Sequence, residues 1–433
     1  MKIYEKLNEF LDKTTNSYNP FVKSIQYPVG QGGLHYSVIN LGDRYFVYLY
    51  DCGSVNSIKK CSNSIKDLED NISKIANKIT NFYIFISHLH KDHYSFLKTI
   101  IKIIKKINSE IKINIILPYL SDTEKIILIS EYDETQEFED DEFDYINFIL
   151  DPKKEIDTYF KDLKIVVQFI RHHYDVDKKL SNFVYPNFPE NDGEIIFDNH
   201  EWHFQKNNHF IWMLKIYMPE VDNEVLNEFT DKIEYYKESF GFNSENWLIE
   251  VFERKNNRYL NTKVEQQRKN LLESLRKIYE TITIDINETS MCLYSGKKPI
   301  ELSFFMIGNS VLQKLFPAIG WMHTGDSNLI KIGESFSKFY QDNLCNVKVF
   351  QIPHHGSKIS CNQKTLDEYK LNKNYYEYYV TNQETPNSKQ PDIKNNDYNI
   401  TIKSITEKSE KFEMYVSFII GVFESMQMQK YKI

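Results

Sequence analysis

No run of about 18 apolar residues, the length a membrane span needs, occurs in the 433 residues, and the nearest approach, residues 414–423, is too short. The opening Met1-Lys2-Ile3-Tyr4-Glu5 lacks the basic stretch and apolar core of a signal peptide. Cysteine is sparse. Its five copies (Cys52, Cys61, Cys292, Cys345 and Cys361) are odd in number and form no C-x-x-C pair. That pattern suits a reducing compartment better than a disulfide framework. Positive charge is not in excess either. A net charge of −8 and a pI of about 5.9 argue against bulk affinity for nucleic acid, though not against a local basic groove. No internal repeat or low-complexity linker is evident. These absences lead to the expectation of a soluble cytoplasmic protein without a membrane anchor.

What is present is enough for a substantial core: 41% of residues are hydrophobic and 15% aromatic, in a chain long enough for one large domain or two ordinary ones. Period-two alternation in Tyr36–Asn40 and Tyr45–Tyr50, split by Leu41-Gly42-Asp43-Arg44, predicts a β-hairpin. The preceding Gly30-Gln31-Gly32-Gly33 has neither G-x-G-x-x-G nor a P-loop lysine, so it reads as a turn rather than a phosphate cradle. Residues 56–80 and 96–107 carry helical spacing, and 111–118, 163–170 and 210–218 read as strands. Strands alternating with helices predict an α/β fold with any site at the strands' carboxyl ends. From 221 to 281 the chain turns charged and helix-permissive, which predicts a helical insertion splitting a domain at 1–220 and 282–395. Residues 396–433 are expected to be a C-terminal extension packed on that domain.

The most informative stretch is Ile84-Phe85-Ile86-Ser87-His88-Leu89-His90-Lys91-Asp92-His93. An apolar strand stops at Ser87, and three of the chain's twelve histidines follow with an aspartate inside six residues. Imidazole and carboxylate are the ligands of Zn²⁺, Mn²⁺ or Fe²⁺, and one tight turn can aim them at two neighbouring points. Asp51, at the end of the hairpin's second strand, is a candidate to orient a ligand from behind. Two later segments add donors. Gly320-Trp321-Met322-His323-Thr324-Gly325-Asp326 brings a carboxylate in a glycine turn. Phe350-Gln351-Ile352-Pro353-His354-His355-Gly356-Ser357 brings two histidines directly after a strand, of which either can be the ligand.

H-x-H-x-D-H, then T-G-D, then P-H-H-G-S, in this order, resembles the metallo-β-lactamase fold, and within it the branch of ComEC-type hydrolase domains. Gly30-Gln31-Gly32, Asp51-Cys52-Gly53 and Asn287-x-x-Ser290 match the same branch, so the resemblance covers roughly 24–220 and 282–390. It implies a four-layer αβ/βα sandwich with two divalent metal ions, Zn or Mn, at one edge. By that resemblance His88 and His90 hold the first ion. Asp92, His93 and one of His354 and His355 hold the second, and Asp326 bridges. The relatives' extra histidine for the first ion is missing: the matching strand end is Tyr217-Met218-Pro219, with His172, His173 and His209 as substitutes by position only. Tyr94-Ser95 also replaces the usual apolar-Gly-Gly, a change expected to reshape the pocket floor.

Two such ions activate a bridging water and stabilise charge in the transition state. Asp92 is placed to ligate and to accept a proton, His93 to ligate beside it, and His323 to protonate a leaving group, although a structural role for His323 is equally readable. The resemblance implies a metal-dependent hydrolase of phosphodiesters, with nucleic acid or a nucleotide as substrate. The alternatives are a hydrolase of a small ester, lactone or thioester, and a non-catalytic interaction protein that keeps a partial metal site and docks a protein partner through 221–281.

Overall fold

A computed structural model describes residues 21–41, 45–131, 142–170, 195–198, 201–206, 209–219, 290–297, 318–369, 377–381, 401–406 and 408–417, with short pieces between 230 and 277. Most of the 221–281 insertion, the acidic 132–141 segment, and His172 and His173 lie outside these residues.

Fifteen strands among the described residues form two mixed sheets. The first contains β1 (Phe21–Gln26), β2 (Gly32–Asn40), β3 (Tyr45–Ser54), β4 (Ile79–Phe85), β5 (Lys112–Pro118) and β6 (Ile165–Ile170) in that order. The second runs from β7 (Ile195–Asp198) through β8 (Glu201–Lys206), β9 (His209–Tyr217), β10 (Cys292–Gly296), β11 (Gly320–His323), β12 (Val347–Gln351) and β13 (Glu377–Thr381) to β14 (Thr401–Ile405). The last strand, β15 (Phe412–Ser417), returns to the first sheet and pairs antiparallel with β1. The C-terminal segment therefore contributes an edge strand to each sheet.

In each sheet an antiparallel half meets a parallel half. β1 to β3 are antiparallel, whereas β3, β4, β5 and β6 are parallel. β7 to β11 are antiparallel, and β11 to β14 parallel. Parallel neighbours need crossovers, which helices supply. α1 (Ser62–Ser73) joins β3 to β4, α2 (Lys91–Tyr94) and α3 (Leu97–Ile107) join β4 to β5, and α4 (Asp122–Glu131), α5 (Tyr145–Leu150) and α6 (Pro152–Phe160) join β5 to β6. On the other sheet α7 (Leu329–Phe339) joins β11 to β12, and α8 (Gln363–Glu368) joins β12 to β13.

The apolar spacing explains where these helices lie. α1 buries Ile65, Leu68 and Ile72, and α3 buries Leu97, Ile100, Ile101 and Ile104, each a stripe on one face. These stripes pack on Val47, Leu49, Ile84 and Ile113 of the first sheet. α7 lays Leu329, Ile332 and Phe336 against Met322, Val347 and Phe350 of the second. A third cluster lies between the sheets, where Phe46, Tyr48, Tyr83 and Phe85 meet Trp202, Trp212, Leu214 and Leu293. Helices thus cover the outer faces, and the two sheets face each other across an aromatic core.

β9 and β10 pair directly, Cys292 opposite Tyr217, so the insertion between them leaves and rejoins the sheet at neighbouring strands. After residue 281 the structure describes the chain again from residue 290, just before β10.

Candidate metal centre

Three strand ends converge on the site. β4 stops at Phe85, and Ile86 still donates its backbone N–H to Ile116 O. The turn that follows winds into α2, with His93 N donating to His90 O at 3.0 Å. β11 stops at His323. Thr324 then anchors to β12, its N–H donating to Gln351 Oε1 (3.1 Å) and its hydroxyl to Gln351 O (3.0 Å). Asp326 N donates to Ser290 Oγ at 3.2 Å, and two residues later Asn328 caps α7 through the N–H groups of Ile330 and Lys331. After β12, His354 N donates to Gly325 O, tying the histidine turn to the aspartate turn.

Two glycines permit these approaches. A Cβ on Gly53 would stand 2.6 Å from Tyr94 N and 2.7 Å from Asp92 O, so β3 can pass against α2 only without one. Gly325, at φ +51°, would drive a Cβ to 2.8 Å from the Cβ of Ser87.

Asp51 sits in a bulge, not at a strand end. Leu34 pairs with Cys52 and His35 with Tyr50, which leaves Asp51 unpaired at φ +55° in mid-strand. A bulge re-aims the extra side chain. This one enters the buried space behind the motif, where Oδ1 accepts from Ser87 N (2.7 Å) and Oδ2 accepts from Ser87 Oγ (2.9 Å) and His93 Nδ1 (2.8 Å).

With Nδ1 of His93 donating to Asp51, its Nε2 points the other way, toward two carboxylates: Asp326 Oδ1 at 3.4 Å and Asp92 Oδ2 at 3.8 Å. His355 Nε2 closes the group, 3.2 Å from Asp92 Oδ2 and 3.4 Å from Asp326 Oδ2. His88 Nε2 lies 3.9 Å from Asp326 Oδ2 and 3.1 Å from His90 Nδ1. Two donor groups suited to a metal ion result, one of His88, His93 and Asp326, the other of Asp92, His93 and His355.

These residues fit a divalent ion on two grounds. Metal bonds of about 2.0–2.2 Å in a tetrahedral site put donor atoms about 3.3–3.6 Å apart. The separations among Asp92, His93, His355 and Asp326 cluster around that value. In addition, His93 Nε2 and Asp326 Oδ1 are buried without a hydrogen bond among the described residues, an expense a cation between them removes.

The electrostatics agree. Burial opposes the charge on His93, but Asp51, Asp326 and Asp92 outweigh it and hold its pKa well above the usual histidine range. His355 is likewise pushed up to about 10, burial being outweighed by Asp326 and Asp92. Asp326 and Asp92 are held below the carboxylate range against their burial, Asp326 chiefly by His355 and His93, Asp92 chiefly by His93 and His355. Concentrated negative charge facing imidazole nitrogens is the character of a cation site. His88, by contrast, falls well below 6.5 because of burial and the neighbouring His93.

Of the predicted residues, Asp51, His88, His90, Asp92, His93, Asp326 and His355 come together. His354 does not. It and His355 both adopt left-handed backbone (φ +50° and +51°), which turns their rings 74° apart, and His354 Nδ1 lies 2.9 Å from Ser360 Oγ. His355 is therefore the member of the pair at the centre.

His323, the expected acid, lies in the aromatic layer and not in the cluster. Its ring is fully buried, stacked on Tyr50 (centroids 4.6 Å apart) and edge-on to His35 (4.2 Å). Burial lowers its pKa to about 3, so the ring is uncharged at neutral pH, which does not suit a general acid. His209 opens β9 at the far end from Tyr217, eight residues or roughly 26 Å away along the strand, and does not supply the missing ligand. Tyr94 turns into the helix layer, stacked on Phe148 at 4.4 Å, while Ser95 Oγ accepts from Ser54 N.

Sequence reasoning passed over Ser87, which touches His88 and His93 from behind, and Ser360, which touches His354 outside the cluster. A hydroxyl beside a histidine is too common in sequence to stand out, and only the fold shows what it touches.

No protein-family model matches this sequence, and no curated protein matches it. No helix among the described residues is long and apolar enough to cross a membrane.

Proposed function

We propose that this chain is a metal-dependent hydrolase of the metallo-β-lactamase fold that cleaves phosphodiester bonds in nucleic acid or nucleotides. The observation that carries the reading is the cluster of Asp92, His93, His355 and Asp326, whose neighbouring imidazole and carboxylate atoms lie 3.2–3.8 Å apart, with His88 and His90 beside them. The two face-to-face mixed sheets with helices outside, and a site at the strand ends, suit that fold.

Asp92, His93 and His355 would hold one divalent ion, Zn or Mn, His88 and His90 a second, and Asp326 has an oxygen toward each group. When bound, such ions lower the pKa of water and offset charge building on a phosphoryl oxygen. The protein's own groups do the rest. Asp51 fixes His93 with Nε2 facing inward. Asp92 is ionised and partly exposed, and so can accept a proton from an attacking water. His90, Asp92 and His355 form the partly exposed side of the cluster, while His88, His93 and Asp326 line its floor, so substrate enters over the former. The phosphodiester preference rests on the sequence resemblance, with metal chemistry as its physical support.

The test is hydrolysis of bis-p-nitrophenyl phosphate and single-stranded DNA with added Mn²⁺ or Zn²⁺. Wild type should be active, with Asp92→Ala and His93→Ala reduced by at least about a hundredfold. Equal rates for all three would overturn the proposal.

A further inference from the structure

The hydroxyl of Ser87 touches three charged or ligating groups at once. It lies 2.9 Å from Asp51 Oδ2, 3.0 Å from His88 Nδ1 and 3.2 Å from His93 Nδ1, and it is fully buried. His93 belongs to both donor sets and His88 to one of them, so this one oxygen stands behind members of both. Its own backbone is fixed as well, the N–H donating to Asp51 Oδ1 and the carbonyl accepting from Met291 N at 2.7 Å.

Proton counting sets the directions. A carboxylate accepts only, and a serine hydroxyl has one proton and two lone pairs. Asp51 Oδ2 thus receives the protons of both Ser87 Oγ and His93 Nδ1. With its proton committed to Asp51, Ser87 Oγ can only accept from His88, whose Nδ1 must therefore carry the hydrogen. Both histidines then carry a hydrogen on Nδ1, which leaves Nε2 to face the centre, already bare in His88 and bare in His93 once a cation takes the place of its proton. His93 has Asp51 as a direct partner, whereas His88 Nδ1 meets the hydroxyl of Ser87.

We propose that Ser87 is a positioning residue that links the two donor sets, relaying the Asp51 charge to His88 and holding His88 and His93 in one tautomer together. The inference rests on the metal-site reading above and adds a residue that acts through its hydroxyl without itself ligating. Gly325 belongs to the same device, since a side chain there would occupy the space of Ser87 Cβ and Oγ.

The experiment uses the full chain as wild type, Ser87→Ala, Ser87→Thr and Asp51→Asn. Long-range ¹H–¹⁵N spectra of the histidine rings read the tautomers, with or without metal, and a competition titration against a chromophoric chelator reads Zn²⁺ affinity. In wild type both rings should be Nδ1–H. Ser87→Ala should release His88 alone and weaken the looser Zn²⁺ by at least about tenfold, leaving the tighter one within about threefold. Ser87→Thr should restore the wild-type tautomer, and Asp51→Asn should release His93. An unchanged His88 tautomer in Ser87→Ala, or His88 and His93 disturbed equally with no rescue by threonine, would overturn the proposal. A wild-type chain that takes up no Zn²⁺ would sink the hydrolase reading instead, and the tautomer spectra would still decide the role of Ser87.

Discussion

Asp51 and His93 are joined by a 2.8 Å hydrogen bond between two fully buried groups, and the aspartate reaches its partner only because β3 bulges at that residue. A regular strand would alternate Asp51 into the ladder, with its side chain on one face of the sheet. The bulge spends one residue on a left-handed conformation, which Asp and Asn tolerate better than most. The result is a charge behind His93, aimed at the nitrogen that does not face the cluster.

Asp51→Asn follows directly. Asparagine keeps the backbone preference and nearly the volume, so the fold should persist with a melting shift of only a few degrees. The charge behind His93 is lost, and divalent-ion affinity should fall by about 10–100-fold. Isothermal titration with Zn²⁺ on the folded variant checks this, and an unchanged dissociation constant would show that Asp51 serves the bulge and not the ligand.

Gly53→Ala tests the close approach of β3 to α2. The added Cβ would meet the backbone of Asp92 and Tyr94 at 2.6–2.7 Å, and backbone cannot rotate away. The helix carrying Asp92 and His93 would have to shift, at about 1–3 kcal/mol of stability. Urea denaturation should show a lower midpoint with an unchanged slope, and metal binding should weaken in parallel. A midpoint equal to wild type would mean that the two segments are not held in contact.

The buried pair His35 and His323 predicts how stability responds to acid. Burial lowers both pKa values, that of His323 to about 3, and neither nitrogen of His35 has a hydrogen-bond partner among the described residues. Unfolded histidine takes a proton near pH 6.5. Between that pH and the folded value the unfolded chain binds more protons, so the pair's full contribution is present above about pH 6.5 and is lost as pH falls toward 3 for His323. Each group should cost up to ~1.4 kcal/mol per pH unit in that window. The double variant His35→Phe/His323→Phe should flatten the fall in urea midpoint between pH 6.5 and 4 relative to wild type. Parallel curves for the two proteins would place the acid sensitivity elsewhere.

Much of this architecture is written in local pattern. The alternation in 45–50, the apolar run before Ser87 and the stripes of α1 and α3 all depend on neighbours within a few residues, and each formed the expected element. That His88, His90, Asp92 and His93 would lie close together was legible for the same reason, being packed into one turn. What was not legible is set by distant pairing. The extension from 396 gave no sign that Thr401–Ile405 and Phe412–Ser417 would join opposite sheets. His323 stands three residues before Asp326 and looked like part of the site, yet strand alternation turns it into the aromatic layer beside Tyr50 and His35. The choice between His354 and His355 depended on two consecutive left-handed residues, a conformation that no residue type there announces.

That pair gives the sharpest substitution test of the centre. His355 Nε2 is within 3.4 Å of both Asp92 and Asp326, whereas His354 turns its Nδ1 to Ser360. Removing His355 leaves the carboxylates of Asp92 and Asp326 with one fewer donor beside them, so ion affinity should drop by a hundredfold or more. Removing His354 takes away a hydroxyl contact outside the cluster and should change affinity by less than about threefold. A ligand that binds only the folded chain raises stability by RT ln(1 + [L]/Kd), or about 2.7 kcal/mol at a hundred times Kd. Thermal melts with excess Zn²⁺ and after EDTA therefore report the same contrast without any activity assay. Wild type and His354→Ala should gain several degrees from the metal, and His355→Ala should gain almost none. The reverse pattern would transfer the ligand role to His354 and require the turn after β12 to rotate when metal binds.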